Sequence, residues 1–343
     1  MQSAKFQKHR GMMRLIRRWA LWSIPDASTR QMAQRTILNL LTTGLVALAA
    51  ATLQAQEMNG FDLRGASIPA DQIHAGGPPR DGIPSIDKPR FLPAALATFM
   101  RADDQVLGLV RNSVARAYPI RILNWHEVVN DRFGDEVVTL TFCPLCGTGV
   151  AFDGQVDGHA LSFGVSGLLY NSDVLMYDRQ TQSLWSQLLG QAISGPMKGR
   201  QLRMLPLTHT SWADWRQSHP ATVILSTDTG ASRAYGRDPY AGYDSSNQIL
   251  FPLAFRSAGF HPKERVLGIQ IGTIAKAYPF VELGKTSGVV TDQLGGTRLT
   301  IRFDRAAARA TVHAADGRQL PGVVGYWFAW YTFHPDTKIF RAK

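Results

Sequence analysis

Two stretches of this 343-residue chain repeat one pattern, and this repetition constrains the fold more than any single motif does. Residues 106–119 (VLGLVRNSVARAYP) and 266–279 (VLGIQIGTIAKAYP) share seven of 14 positions at an offset of 160. Further matched blocks are 128–131 with 289–292, 137–142 with 298–303, and 211–222 with 326–337. Matched blocks in one order predict the duplication of a supersecondary unit.

The two copies differ in one insertion and in their cysteines. The difference in residue number between matched positions is 159 at residues 157–161 and 115 at residues 211–222. The second copy therefore lacks about forty-four residues, which correspond roughly to 162–205 of the first. After the matched strand, the first copy continues with CPLCG (143–147) and the second with DRAAA (304–308). Because the same strand and turn form without sulfur, we expect Cys143 and Cys146 to serve chemistry rather than folding.

The alternation of short apolar runs with Gly, Pro, Asn and Asp is typical of strands joined by turns. Strands are predicted over 105–110, 114–119, 136–142, 149–153, 159–164, 174–178, 223–226, 266–271, 273–278, 298–303 and 310–314. The two tryptophan-containing blocks predict helices, the first capped by Ser211 with Asp214 three residues on, and Leu92–Met100 predicts a short helix. The pattern therefore predicts a β-dominated α+β fold with two related lobes from an internal duplication, the second copy shortened.

The predicted organisation has five parts. They are a signal peptide or N-terminal anchor (1–55), a Pro/Gly-rich entry arm (56–105), a first repeat with the cysteine pair (106–226), a loop-rich connector (227–265) and a shortened second repeat (266–343).

The net charge of +11 is concentrated in the leader. Residues 1–35 carry eight Lys or Arg and one acid, residues 36–55 carry no charge, and the remainder therefore holds only +4. A basic leader is not a basic domain, so we exclude nucleic acid as a partner. A basic start, an apolar segment and a small residue at Ala55 predict export to the periplasm or beyond, with translation from Met1 or Met32. Membrane contact is then expected only through an uncleaved leader.

The cysteine pair admits three interpretations. CPLCG followed by glycine and β-branched residues favours a tight metal-binding turn over a thioredoxin-type helix start. Two cysteines leave a metal site incomplete, and copper or zinc would need further ligands, for which His126 and Met176 are candidates. An exchangeable disulfide or an inert structural one remain as alternatives.

The inserted segment adds polar side chains beside the cysteine turn. These candidates for ligand support or substrate contact are Tyr170, Asn171, Asp173, Asp178, Trp185 and Ser186. The sequence has no phosphate loop, dinucleotide fingerprint or CxxCH haem motif, so neither a nucleotide cofactor nor haem is expected.

The segment FCPLCGTGVAF, followed by LSFGVSGLLYNSDVLMYDRQTQSLWSQ, resembles a bacterial family of unknown function, DUF3179, over roughly residues 105–340. The stretches TSWADW, DTG, RDPYAGY and KAYP are similar to the same family. The resemblance implies no activity. It implies a shared use of Cys143, Cys146, Asn171, Asp173, Met176, Asp178, Trp185 and Ser186.

The sequence thus favours an exported protein that binds a transition metal, copper or zinc, at a single Cys-x-x-Cys site. The alternatives are an extracytoplasmic thiol–disulfide oxidoreductase and a non-catalytic module that binds an unknown protein or small molecule. Whether the protein is an enzyme is left open by the sequence.

Overall fold

Strands dominate the computed structural model, which describes residues 57–343. In chain order they are β1 (Glu57–Met58), β2 (Phe61–Asp62), β3 (Ile73–Ala75), β4 (Phe91–Pro93), β5 (Gln105–Arg111), β6 (Val114–Pro119), β7 (Val128–Phe133), β8 (Glu136–Cys143), β9 (Thr148–Asp153), β10 (Gln155–Val156), β11 (His159–Ala160), β12 (Phe163–Tyr170) and β13 (Asp173–Asp178). They continue with β14 (Leu184–Ser186), β15 (Gln191–Ala192), β16 (Met204–Leu205), β17 (Thr208–Ser211), β18 (Val223–Leu225), β19 (Arg265–Ile271), β20 (Ile274–Pro279), β21 (Val289–Leu294), β22 (Thr297–Asp304), β23 (Arg309–Ala314), β24 (Gln319–Leu320), β25 (Val323–Tyr326) and β26 (Lys338–Ile339). The β-dominated prediction is confirmed.

The helices are short. They are α1 (Ile120–Leu123), α2 (Trp212–Ser218), α3 (Phe280–Leu283) and α4 (Trp327–Phe333), with 3-10 turns at Ala70–Gln72 and Ala94–Leu96. The predicted cap of α2 is present, because Ser211 Oγ accepts a hydrogen bond from Asp214 N at 3.3 Å. The predicted helix over Leu92–Met100 is wrong: β4 pairs with β18 there, and the proline that ends β4 leaves room for only one 3-10 turn.

The two similar stretches form sheets of the same order and register. The first gives β17-β5-β6-β18, extended by β4, and the second gives β25-β19-β20-β26. In the parallel pair of each sheet, Val223 faces Arg116 and Lys338 faces Lys276. These partners are at equivalent positions of the two stretches.

A tryptophan covers each of these two sheets in the same way. The Trp215 ring lies over Gly108, and its Nε1 donates to Thr222 Oγ1 at 2.9 Å. Trp330 covers Gly268 and donates to Thr337 Oγ1, also at 2.9 Å. The helices α2 and α4 are therefore attached to their sheets by close contact between an indole and a glycine.

The remaining strands of each stretch pack against the other stretch. Strand β25 pairs with β9, so that one eight-stranded sheet joins β7, β8, β9 and β16 to β25, β19, β20 and β26. Tyr326 N donates to Cys146 O at 2.8 Å in this sheet, and Ser211 N donates to Ala307 O at 3.2 Å at the equivalent place in the other half. The sheets therefore do not divide at the boundary between the two similar stretches, and the described residues lie within one compact unit, Ala55–Lys343.

The segment present only in the first stretch builds a sheet of its own. Strands β12 to β15 form consecutive antiparallel pairs, and β3 of the entry arm adds to the edge at β12. This five-stranded sheet presents the β12–β13 turn to the cysteines at the end of β8. It shares a hydrophobic cluster with that region through Phe163, Val165 and Trp185.

The predicted leader (1–55) lies outside the described residues. Between residues 57 and 343, no helix is both long and apolar enough to cross a bilayer.

Because an indole ring lies directly on Gly108 and on Gly268, we expect a methyl group added at either glycine to destabilise the protein by a similar amount. In Gly108→Ala and Gly268→Ala the new Cβ overlaps an indole ring, and we expect each variant to lose roughly 1–3 kcal/mol of unfolding free energy. Urea denaturation measures the loss. Gly236→Ala is the control, because no atom of the described residues lies within 4 Å of its added Cβ. Unchanged midpoints in both test variants would contradict the packing.

Candidate metal centre

The two cysteines lie in a tight turn between antiparallel strands. Cys143 ends β8 and pairs with Thr148, the first residue of β9. Gly147 has a left-handed φ of 61°, and Ala308 has a φ of 50° at the equivalent position of the second stretch. A Cβ at Gly147 would lie 2.9 Å from the Tyr326 ring, so glycine is needed here because of a neighbour as well as the φ. The predicted turn between strands is present, and β9 follows where a thioredoxin-type site would have a helix.

A second turn meets the first from the inserted sheet. Asn171 and Ser172 connect β12 to β13 with φ values of 53° and 66°, the pattern of a type I′ hairpin. Asn171 Oδ1 accepts a hydrogen bond from Ala254 N at 2.8 Å, which links the turn to the connector. Asp173 follows directly, and its carboxyl therefore faces the cysteine turn.

Cys143, Cys146 and Asp173 bring three potential ligand atoms together, all within 4.8 Å of one another. Both cysteines and Asp173 are at most 1% exposed. The sulfur atoms of Cys146 and Cys143 lie 3.3 and 3.8 Å from the carbonyl oxygen of Ser172. Ligand atoms at about 2.3 Å from a tetrahedral zinc are on the order of 3.7 Å apart, so the cluster needs only small side-chain adjustments to hold such an ion.

The cluster concentrates acidic groups in a buried place. Burial raises the pKa of Asp173 to about 7. The pKa of Glu127 is raised to about 8, first by burial and then by the negative charge of Asp173. Burial also raises the pKa of both cysteine thiols. Neither carboxyl forms a salt bridge among residues 57–343, and the cation that interacts electrostatically with the cysteine pair is Lys263, whose pKa is lowered by burial and raised, more weakly, by the charge of Cys146.

Several polar atoms around the cluster lack partners. Asp173 Oδ2 accepts a hydrogen bond from Leu188 N at 3.1 Å. Asp173 Oδ1, Ser172 Oγ and Tyr243 Oη are buried and have no hydrogen-bond partner within the described part of the chain. Asp173 Oδ1 and Ser172 Oγ belong to the turn whose Ser172 carbonyl meets the two sulfurs, so a ligand bound at this turn would have polar atoms to pair with.

The connector covers the cluster. Tyr240 and Tyr243 pack against the hydrophobic cluster that contains both cysteines. Burial raises the pKa of both tyrosines, and negative charge raises it further, from Glu127 and then Cys143 for Tyr240 and from Cys146 and then Cys143 for Tyr243. Lys263 holds this part of the connector in place. Its Nζ lies 3.5 Å from the centre of the Tyr243 ring and donates to the carbonyl oxygens of Tyr243, Ser246 and Gln248. Its burial lowers its pKa to about 8.

A cavity of about 80 Å³ adjoins the cluster. Its polar lining is Glu127, Cys143 and Tyr240, and most of the remaining wall is aliphatic, including Ile83, Leu145, Val165 and Leu169. A water needs roughly 10–15 Å³ of such space, so the cavity can hold several waters or one small molecule. The cysteine pair is therefore buried from bulk solvent and still borders a ligand-sized space.

The comparison with known protein families identifies the family of this chain. The family model described as "Protein of unknown function (DUF3179)" matches residues 80–337, about three quarters of the chain. The chain belongs to the DUF3179 family. No curated protein and no solved structure matches it significantly. Family membership therefore assigns no activity, and the chemistry must be argued from the site.

The predicted metal ligands of this DUF3179 protein are Cys143, Cys146, His126 and Met176. The two cysteines lie together, and His126 is not part of their cluster. Nδ1 of His126 lies 2.7 Å from Pro84 O, and Nε2 lies 2.6 Å from the Tyr235 hydroxyl, so both ring nitrogens have partners. Met176 is fully buried in the same hydrophobic cluster as the cysteines. The acidic ligand atom beside the sulfurs comes from Asp173, which the sequence analysis assigned to ligand support.

The other candidates from the insert have structural partners. The Asp178 carboxylate accepts hydrogen bonds from Trp185 Nε1 at 2.9 Å and from the backbone and hydroxyl of Thr181. Ser186 Oγ accepts from Leu189 N at 3.4 Å, and the Tyr170 ring packs edge-on against Phe333. Together with the hydrogen bond that Asn171 Oδ1 accepts from Ala254 N, these contacts shape the inserted sheet that carries Asp173.

The sequence pattern did not single out Glu127 or Lys263, whereas Tyr240 was among the connector residues expected to be able to line a cleft. Glu127 directly precedes the matched block 128–131, and no sequence motif distinguishes it from other polar loop residues. One signal was available: the equivalent residue in the second stretch is Gly288, so an acidic residue stands where the other copy has glycine.

The raised pKa values predict an unusual pH dependence for the metal-free protein. Asp173 and Glu127 hold protons in the folded state up to about pH 7 and 8, but lose them near their ordinary values of 3.8 and 4.5 when unfolded. Their contribution to stability is thus present below about pH 4 and is lost as the pH rises through 7 to 8. Each retained proton gives a slope of about 1.4 kcal/mol per pH unit.

Denaturation of chelator-treated protein between pH 5 and 8 measures this slope. We expect it to be smaller in Asp173→Asn and in Glu127→Gln. A wild-type stability that increases over this range, with the same slope in both variants, contradicts the assignment.

Proposed function

We propose that this protein binds a transition-metal ion through Cys143 Sγ, Cys146 Sγ and an oxygen of Asp173. The observation that carries the proposal is the convergence of two thiols and a carboxyl, all within 4.8 Å of one another, in a buried place where Asp173 forms no salt bridge within the described residues. A divalent ion would stabilise the thiolate and carboxylate forms that burial alone disfavours. It would also give the unpartnered Asp173 Oδ1 a partner.

The ligand set favours zinc over copper. Zinc accepts thiolate and carboxylate oxygen together, whereas reduced copper prefers soft sulfur ligands and would gain little from Asp173. Three protein ligands leave a fourth position open, as in catalytic rather than structural zinc sites. The cavity beside Cys143 provides space for a molecule at that position.

The thiol–disulfide alternative has less support. A cysteine that exchanges disulfides is partly exposed and has a lowered thiol pKa, usually through a nearby cation or a helix N-terminus. Here burial raises the pKa of both thiols, and the connector covers them. Both cysteines are at most 1% exposed, so the sulfur of a partner protein would not reach either of them without movement of the surrounding residues.

We infer that the two stretches arose by duplication and that only the first kept or acquired the metal site. The equivalent strand registers, the paired glycine–indole contacts and the two turns with a left-handed residue at Gly147 and Ala308 support this origin. We also propose export, on the strength of the basic and apolar leader in the sequence.

Metal analysis of untagged protein tests the proposed site. We expect close to one equivalent of zinc in the wild type and at least a tenfold lower affinity in Cys143→Ser, Cys146→Ser and Asp173→Asn, because each change removes one of three ligands. Competition with a chromophoric chelator measures the affinities.

The second stretch supplies matched controls. Asp304→Ser and Ala307→Ser change the positions equivalent to the two cysteines and should retain full zinc content. A wild type purified without metal that also fails to bind added zinc or copper overturns the proposal. Readily reducible disulfide in such a protein would favour the redox alternative.

A further inference from the structure

Glu127 occupies a backbone position that the second stretch gives to glycine. Its φ is 58°, and Gly288 has a φ of 89° at the equivalent place. The carbonyl of each residue accepts a hydrogen bond from the matching strand, from Phe142 N to Glu127 and from Phe303 N to Gly288, both at 2.7 Å. The local fold therefore needs a left-handed residue, for which glycine is the unstrained choice.

The glutamate side chain is unfavourable for folding in two ways. A left-handed conformation is uncommon for a residue with a Cβ and strains the backbone. The side chain is also buried, with 7% of the residue exposed, and its carboxyl has neither a hydrogen-bond donor nor a cation among the residues that the structure describes. A strained backbone at a residue that lines a cavity and whose carboxyl has no protein partner is typical of a functional site rather than of a fold requirement.

The Glu127 carboxyl lines the cavity in which a small molecule bound to the metal would lie. Glu127 and Cys143 line the same cavity, together with Tyr240. Glu127 is outside the group of ligand atoms that lie within 4.8 Å of one another, but its charge interacts with those of Asp173 and Cys143, so it lies near the protein ligands without belonging to them. The opposite wall is formed by aliphatic side chains such as Val165, Leu168 and Leu169.

We propose that this cavity binds a small hydroxyl-bearing molecule with a short apolar body, whose oxygen ligates the metal and whose hydroxyl hydrogen is donated to Glu127. This inference rests on the proposed metal site. A hydroxyl group satisfies both neighbours, because its lone pair binds the metal while its O–H reaches the carboxylate. The wall is mostly aliphatic, and a volume of about 80 Å³, at roughly 10–15 Å³ for each water-sized group, restricts the ligand to about five to eight heavy atoms.

Cobalt(II)-loaded protein and hydroxamates of two sizes test the proposal. The cobalt absorption spectrum reports ligand binding at the metal, and acetohydroxamate carries the required N–OH group on a short body. We expect acetohydroxamate to bind at least tenfold more tightly than benzohydroxamate, whose ring exceeds the cavity. Ile83→Phe, which fills the cavity from its rim, should weaken acetohydroxamate binding by a similar factor, whereas Ile271→Phe, at a half-buried position outside the lining, should not.

Glu127→Gly separates function from folding. Because glycine suits the left-handed backbone, we expect an unfolding midpoint equal to or above that of the wild type and undiminished cobalt content, with acetohydroxamate affinity at least tenfold lower. Asp157→Gly is the matched control: it also removes an acidic residue with positive φ (51°), but from an exposed hairpin turn. It should leave hydroxamate affinity unchanged.

The outcomes distinguish the two proposals. A wild type that binds no cobalt overturns the metal site and this inference together. Cobalt bound normally, with equal acetohydroxamate affinity in the wild type and Glu127→Gly, overturns the inference alone. A Glu127→Gly variant that loses cobalt shows instead that Glu127 is a metal ligand, and it also contradicts the role proposed here.

Discussion

The position of the cysteine turn depends on one hydrogen bond between the two stretches. Tyr326 N donates to Cys146 O, and the same donor position in the other half, Ser211 N, binds Ala307 O. Each bond fixes the turn after a long strand against the residue that precedes a tryptophan helix. Ala307 stands at the position equivalent to Cys146 and accepts the same hydrogen bond without a sulfur atom, so the backbone of the turn does not need cysteine. The sulfur atoms are consequently available for a ligand rather than needed for the fold.

The inserted sheet converts this scaffold into a possible metal centre. It supplies Asp173, and the hairpin at Asn171–Ser172 controls how that carboxyl faces the thiols. Without a cation the arrangement is electrostatically unfavourable, since burial opposes ionisation of every acid in it. The second stretch has neither the insert nor the cysteines. The coincidence of both features in one half is stronger evidence for a shared purpose than either feature alone.

Local pattern predicted much of this fold and the centre of the site. Apolar runs bounded by turn residues identified most of the long strands, and the spacing around Ser211 identified the cap of α2, because both signals act over a few neighbouring residues. Strands β7 and β21 were not predicted, and the strand predicted over 159–164 covers β11 and only the start of β12. The exchange of strands between the stretches was not predictable in this way, since β9 and β25 are separated by about 170 residues. His126 was chosen for its residue type, but its ring nitrogens face Pro84 and Tyr235. Asp173 was recognised as a neighbour, whereas its place beside the sulfurs depends on the path of the inserted sheet.

The residues around the cysteine turn are locally less favourable for folding than the equivalent residues in the other half. Ser211 caps its helix with a side-chain hydrogen bond, whereas Tyr326 at the same position provides none and instead lays its ring against Gly147. Loss of such a cap costs about 1 kcal/mol. Glu127 adds backbone strain that Gly288 avoids. Each departure lies around the same buried thiols. Deviations from local rules that cluster at one place are expected where function, rather than stability, determines the residue.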